Sequence, residues 1–132
     1  MFQKTIIYVD DDAAQRNALK KLFDMLGYTA DIFDHPEDAL KAAGKAAYPL
    51  VITDLDMPEM DGVTLCKKIR GINPNAFVYA LSGHVKRFGP ENLELSGFDG
   101  HLVKPVDADK LEKAIEGAFD KLARHEVGVT DE

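Results

Sequence analysis

Apolar residues arrive along this chain in two alternating rhythms. Short apolar runs rich in Val and Ile occur at Ile6-Ile7-Tyr8-Val9, Leu50-Val51-Ile52 and Phe77-Val78-Tyr79-Ala80-Leu81, with a shorter one at His101-Leu102-Val103. Such runs predict strands buried on both faces, as in a parallel sheet. Thr29 to Phe33 predicts a weaker strand. Between the runs the apolar residues fall at helical spacing. Ala18, Leu22 and Leu26 stand beside Leu19 and Phe23. Ala39, Leu40, Ala43 and Ala46-Ala47 form a second apolar face. Val63, Cys66 and Ile69 form a third, and Leu111, Ala114, Ile115, Ala118 and Leu122 the last.

Punctuation residues mark the ends of these elements. Gly27 stops the first helix as a C′ glycine. Asp34 is placed to cap the second, with Glu37 completing a capping box. The third spans the stretch from Gly62 to about Gly71. After Gly89-Pro90 a short helix over Glu91 to Ser96 is expected, closed by Gly97. Asp107 caps the last helix. The pattern predicts an α/β fold, a five-stranded parallel sheet with five helices on both faces. Right-handed crossovers then bring every strand C-terminus to one edge.

That edge is where the chemistry collects. The first strand delivers Asp10-Asp11-Asp12, and the third delivers Asp54 with Asp56 two residues on. The fourth delivers Ser82 and the fifth Lys104. Crowded carboxylates disfavour one another's ionisation, and a hard divalent cation relieves them. A carboxylate held beside such an ion can act as a nucleophile on phosphorus, and a lysine and a hydroxyl can hold the other phosphoryl oxygens. Single aspartates after strands often only cap helices, which is the expected role of Asp12 and Asp61. His35, His84, His101 and His125 lack metal-ligand spacing, and Cys66 sits on an apolar helical face as a core residue.

Length and charge narrow the picture. The 132 residues suit one domain, expected over 1–123 with a polar tail over 124–132. A net charge of −7 argues against general nucleic-acid binding. A single cysteine excludes an internal disulfide. The start lacks a signal-peptide pattern and no segment is long enough to span a membrane, so a cytoplasmic protein without membrane contact is expected.

Five features in order and spacing resemble the response-regulator receiver domain over roughly residues 4 to 123. They are Val9-Asp10-Asp11-Asp12, the segment from Asp54-Leu55-Asp56 to Asp61-Gly62, Leu81-Ser82-Gly83, Gly97-Phe98-Asp99-Gly100 and Leu102-Val103-Lys104-Pro105. The resemblance implies a flavodoxin-like sheet of order 2-1-3-4-5 and a Mg²⁺-dependent transfer of a phosphoryl group from phosphohistidine. It casts Asp54 as phosphoacceptor, Asp11 as a direct ligand of Mg²⁺ (or Mn²⁺) and Asp10 as an indirect one acting partly through water. Asp56 would give its backbone carbonyl to the metal, while Ser82 and Lys104 would bind the phosphoryl group. The Lys104–Pro105 bond would be cis, although cis is only ~5–6% of X–Pro bonds in general. Asp56 and His84 flank the site as positions that tune aspartyl-phosphate lifetime.

The sequence departs from the family pattern at His101, where an aromatic ring commonly serves as a switch. Implied partners are a histidine kinase or a histidine phosphotransfer protein. The downstream protein target is expected at the surface of the fourth helix, fifth strand and fifth helix. Residues 97–106 resemble receivers attached to hybrid kinases, so a stand-alone protein and a fragment of a larger one are both open. Two rivals exist. A haloacid-dehalogenase-type phosphatase would also use Asp54-Leu55-Asp56, but places its further acidic group after the lysine, whereas here the acidic run comes first. A non-phosphorylated receiver-like module would be expected to lack Asp11, Asp54 or Lys104, and all three are present.

Overall fold

A computed structural model describes residues 5–55, 57–83 and 97–126. Five strands are present: β1 (Thr5–Val9), β2 (Thr29–Phe33), β3 (Leu50–Asp54), β4 (Phe77–Ser82) and β5 (Gly100–Val103). Four helices accompany them among the described residues: α1 (Ala13–Leu26), α2 (Pro36–Lys45), α3 (Gly62–Ile72) and α4 (Ala108–Glu126). The expected short helix over residues 91–96 lies outside the described residues, as does the side chain of Leu122.

All neighbouring strands pair in parallel, in the order β2-β1-β3-β4-β5. The pairs Val9↔Thr53, Thr53↔Ala80 and Ala80↔His101 align the C-terminal ends of β1, β3, β4 and β5. β1 and β3 are buried almost throughout because both faces of the sheet are covered there, whereas edge strand β2, with Thr29 and Asp31, is only partly buried. Alternation sends Ile7, Val9, Val51, Val78 and Ala80 to a core shared with Ala39, Leu65, Cys66 and Ile69 of α2 and α3. It sends Ile6, Tyr8, Leu50, Ile52 and Leu81 to a second core with Leu19 and Phe23 of α1 and Leu111, Ile115 and Ala118 of α4. Each fully buried large aliphatic side chain contributes roughly 1.5–3 kcal/mol relative to exposure.

The helix ends correct several expectations. Gly27 is the α1 C-cap in the left-handed conformation, as predicted. The N-cap of α2 is His35, which makes no side-chain capping bond, and not Asp34. Pro36 takes the first helical position, where its fixed φ and missing N–H are tolerated, and this sets the boundary one residue later. Ala18 is exposed, because the arc of α1 facing the sheet is centred on Leu19 and Phe23 with Leu22 and Leu26 alongside. Ala46 is the extended C-cap of α2 and Ala47 is exposed, so neither belongs to its buried face. Asp107 does cap α4, accepting from the Asp109 N–H at 2.7 Å. That helix runs to Glu126.

Candidate functional site

The aligned strand ends place three carboxylates and one ammonium group together. Asp10, the residue after β1, is fully buried, and Asp54 at the end of β3 is nearly so. Asp11 is exposed beside them. One carboxylate oxygen from each of the three lies within 4.8 Å of the others. Lys104 reaches in from the end of β5. Its Nζ stands 3.2 Å from Asp10 Oδ2 and 3.2 Å from Asp54 Oδ1.

Backbone contacts fix this geometry. Ser82, buried at the end of β4, accepts from the Lys104 N–H at 3.0 Å, so the hydroxyl residue and the lysine are held side by side. Lys104–Pro105 is cis, in agreement with the expectation from family resemblance. Below Asp54, Leu55 donates its N–H to the Leu81 carbonyl, and its own carbonyl accepts from the Gly62 N–H at 3.0 Å. Gly62 is required there, since a Cβ would lie 2.5 Å from the Asp54 carbonyl oxygen. Asp12 and Asp61 cap α1 and α3, as predicted, through Ala14 and Thr64 N–H groups.

Asp10 is held at every polar atom. Its Oδ1 accepts from the Asp12 N–H at 3.0 Å, and its Oδ2 accepts from the Tyr8 hydroxyl at 2.7 Å. Its carbonyl accepts from Arg16 Nη1 at 2.9 Å, and its own N–H donates to the Phe33 carbonyl. Tyr8 was legible only as an apolar strand residue. The available signal was its position two before Asp10, which puts both side chains on one face of an extended chain.

The electrostatics follow from three acids meeting one cation. Burial pulls the Lys104 ammonium down, but the charges of Asp10 and Asp54 outweigh it and the net shift is upward. Burial is also the main reason that the Tyr8 hydroxyl is pushed far up, reinforced by its bond to Asp10, so it stays a donor. Among the described residues one ammonium stands with these three carboxylates, which leaves an excess of negative charge. Mg²⁺ takes oxygen ligands at ~2.0–2.1 Å, so opposed ligands stand roughly 4 Å apart. Three carboxylate oxygens gathered this closely can share one such ion. The donor set is all oxygen and therefore fits a hard divalent cation.

A cleft of about 120 Å³ opens beside Asp11, lined in part by Arg16, Asp34, His35 and Pro58. His101 pairs within β5 but its side chain is exposed. Asp56 and His84, the expected lifetime-tuning positions, lie outside the described residues.

The family model for the response regulator receiver domain matches residues 6–116. The chain belongs to that family. Among curated relatives, the receiver is similar to the transcriptional regulatory protein FixJ of Bradyrhizobium diazoefficiens, at 33% identity over 121 residues. That match covers 90% of this chain and 58% of FixJ, and the next relatives are covered to a smaller share still. Of solved structures, a response regulator receiver domain from Clostridium thermocellum superposes with a TM-score of 0.84 at 25% identity, covering 92% of this chain and 98% of that one. The receiver domain of sensor histidine kinase PA1611 from Pseudomonas aeruginosa, described with a magnesium ion coordinated in its active site cleft, gives 0.79 at 21% identity, over 86% of this chain and 95% of that one. Acidic residues upstream of Asp54, a lysine after β5 and the sheet order are thus the features of a receiver, and the phosphatase alternative is not favoured.

Proposed function

We propose that Asp54 is the phosphoacceptor of this receiver and that Asp10, Asp11 and Asp54 form its metal site. The observation that carries this reading is the bridging of Lys104 between Asp10 and Asp54 with Asp11 alongside. Asp11 and Asp54 would hold the ion directly, with the Asp56 carbonyl as a third protein ligand, and Asp10 would act through water. Mg²⁺, or Mn²⁺ on the same oxygen donors, supplies positive charge against the developing charge on phosphorus.

An Asp54 carboxylate oxygen forms a bond to the phosphorus of a phosphohistidine. The N–P bond breaks, its electron pair stays on the donor imidazole, and that ring takes up a proton. Lys104 then turns from the Asp54 oxygen to a phosphoryl oxygen, and the Ser82 hydroxyl donates to another. Hydrolysis returns Asp54 by attack of water on the same phosphorus. The chain thus contributes to its own phosphorylation and dephosphorylation, at a pace set in part by Asp56 and His84.

The donor is a histidine kinase or a histidine phosphotransfer protein. Output runs to a protein target at the face containing β5, where His101 and Val103 are exposed. A charge of −7 supports protein contacts over direct nucleic-acid contact for this domain. No helix among the described residues is long and apolar enough to cross a membrane, and we place the domain in the cytoplasm. We take it as residues 1–123 with a polar tail over 124–132 whose first residues extend α4, as a stand-alone protein or as part of a hybrid kinase.

Incubation with Mg²⁺ and acetyl phosphate, followed by intact mass measurement, is the test. One phosphoryl group is expected on the native chain and none on Asp54→Asn. A folded, Mg²⁺-binding protein that takes no adduct from any donor would sink the reading.

A further inference from the structure

We propose that Tyr8 is a positioning residue of the metal site, holding the Asp10 carboxylate in place through its hydroxyl. This inference rests on the reading of Asp10, Asp11 and Asp54 as the metal site. Tyr8 lies in β1, fully buried, with its ring edge-on to Phe23 at 6.1 Å between centroids. Its ring belongs to the apolar core under α1 and α4, and only its hydroxyl reaches the site. That hydroxyl donates to Asp10 Oδ2 at 2.7 Å, the same oxygen that Lys104 approaches at 3.2 Å.

The two partners of that oxygen differ in permanence. Lys104 is divided between Asp10 and Asp54, and a phosphoryl group on Asp54 draws it away. A buried carboxylate that loses a partner is costly to keep. Tyr8 cannot leave, because its ring is packed in the core on a central strand. It therefore keeps Oδ2 satisfied while Lys104 moves, as the Asp12 N–H keeps Oδ1 satisfied. The Asp10 carboxylate therefore keeps its orientation when Lys104 moves. Outer-shell groups of a metal site typically contribute ~10–100-fold in metal affinity or activity.

The structure also holds a matched control. Tyr48 donates to Asp31 Oδ2 at 2.6 Å, the same pair of groups, and neither residue is among the site residues. Tyr8→Phe and Tyr48→Phe each remove one hydroxyl and keep the ring. Isothermal titration with Mg²⁺, without any phosphodonor, should give a dissociation constant at least tenfold weaker for Tyr8→Phe. Tyr48→Phe should stay within twofold of the native protein. Equal affinity in Tyr8→Phe and the native chain would overturn the proposal while leaving the metal site standing. Absence of Mg²⁺ binding in the native chain would instead overturn the metal-site reading on which it rests. Should Tyr8→Phe fail to fold, Mg²⁺ titration of the native protein followed by NMR decides. The Tyr8 ring resonances should shift with the same midpoint as the amides of Asp11 and Asp54. An unmoved Tyr8 beside moving Asp11 and Asp54 rejects the role.

Discussion

Two of the cation–carboxylate clusters among the described residues are built on opposite principles. At the end of α3, Arg70 pairs with Asp99 at 2.6 Å and also donates to the carbonyls of Gly97 and Ala76. The same Asp99 oxygen accepts from the Val78 N–H at 2.8 Å. One planar cation meets one acid and two carbonyls, so the charge of the pair is balanced and three N–H···O bonds hold the guanidinium. At the other cluster Lys104, a point charge on a flexible stem, stands between two acids with a third nearby. The first cluster is complete within the chain and serves as a clamp. Among the described residues the second has more carboxylates than cations, the setting in which a divalent cation would be held.

The comparison can be broken most forcefully at the clamp. Arg70→Ala leaves Asp99 and two carbonyls without their cation and should cost about 2–3 kcal/mol, reading a half-buried pair below the fully buried range. Urea unfolding should show this, while Mg²⁺ affinity stays unchanged. The site should respond the other way round. At a hundredfold excess over its dissociation constant, Mg²⁺ should stabilise the native chain by about 2.7 kcal/mol. A chelator should abolish that gain, and Asp11→Asn should remove it while leaving stability without metal equal or slightly higher. A thermal melt of Asp11→Asn that still rises fully with Mg²⁺ would contradict the charge-deficit account.

The smallest expected effect is on pH. The Lys104 ammonium is held above its ordinary value of 10.5. Its contribution to stability is therefore complete below that value and is lost as pH rises through the folded one. Alkaline unfolding of Lys104→Met should lack this component, and a curve parallel to that of the native chain would show that the pair adds nothing.

The site was more legible in the sequence than the packing around it. Asp54 announced itself because an apolar strand ends there and Pro58 and Gly62 follow. Asp10, Asp11, Ser82 and Lys104 became a set once parallel topology put strand ends together. The cis bond before Pro105 was legible only through family resemblance, since local sequence favours trans. Ala18 was misplaced because several arcs of α1 are apolar enough to face inward, and contact with the sheet selects the one through Leu19 and Phe23. Asp34 gave way to His35 because Pro36 outweighed a capping side chain in setting the helix start. Tyr8 was hidden by its own ring. An aromatic in an apolar run reads as core, and its hydroxyl matters only when the partner two residues on is known.

The closure at Gly62 carries a consequence for how such a chain can change through descent. The Gly62 N–H is tied to the Leu55 carbonyl, and its α-carbon lies against the carbonyl of Asp54 with no room for a methyl group. Strand and helix meet there like the two halves of a buckle. Exposed Pro58 and Glu59 on the loop can drift in identity at little cost. Adding or removing a residue would undo the buckle and move α3 against the acceptor strand. Lineages from such a chain should therefore vary in the letters of this loop and keep its count.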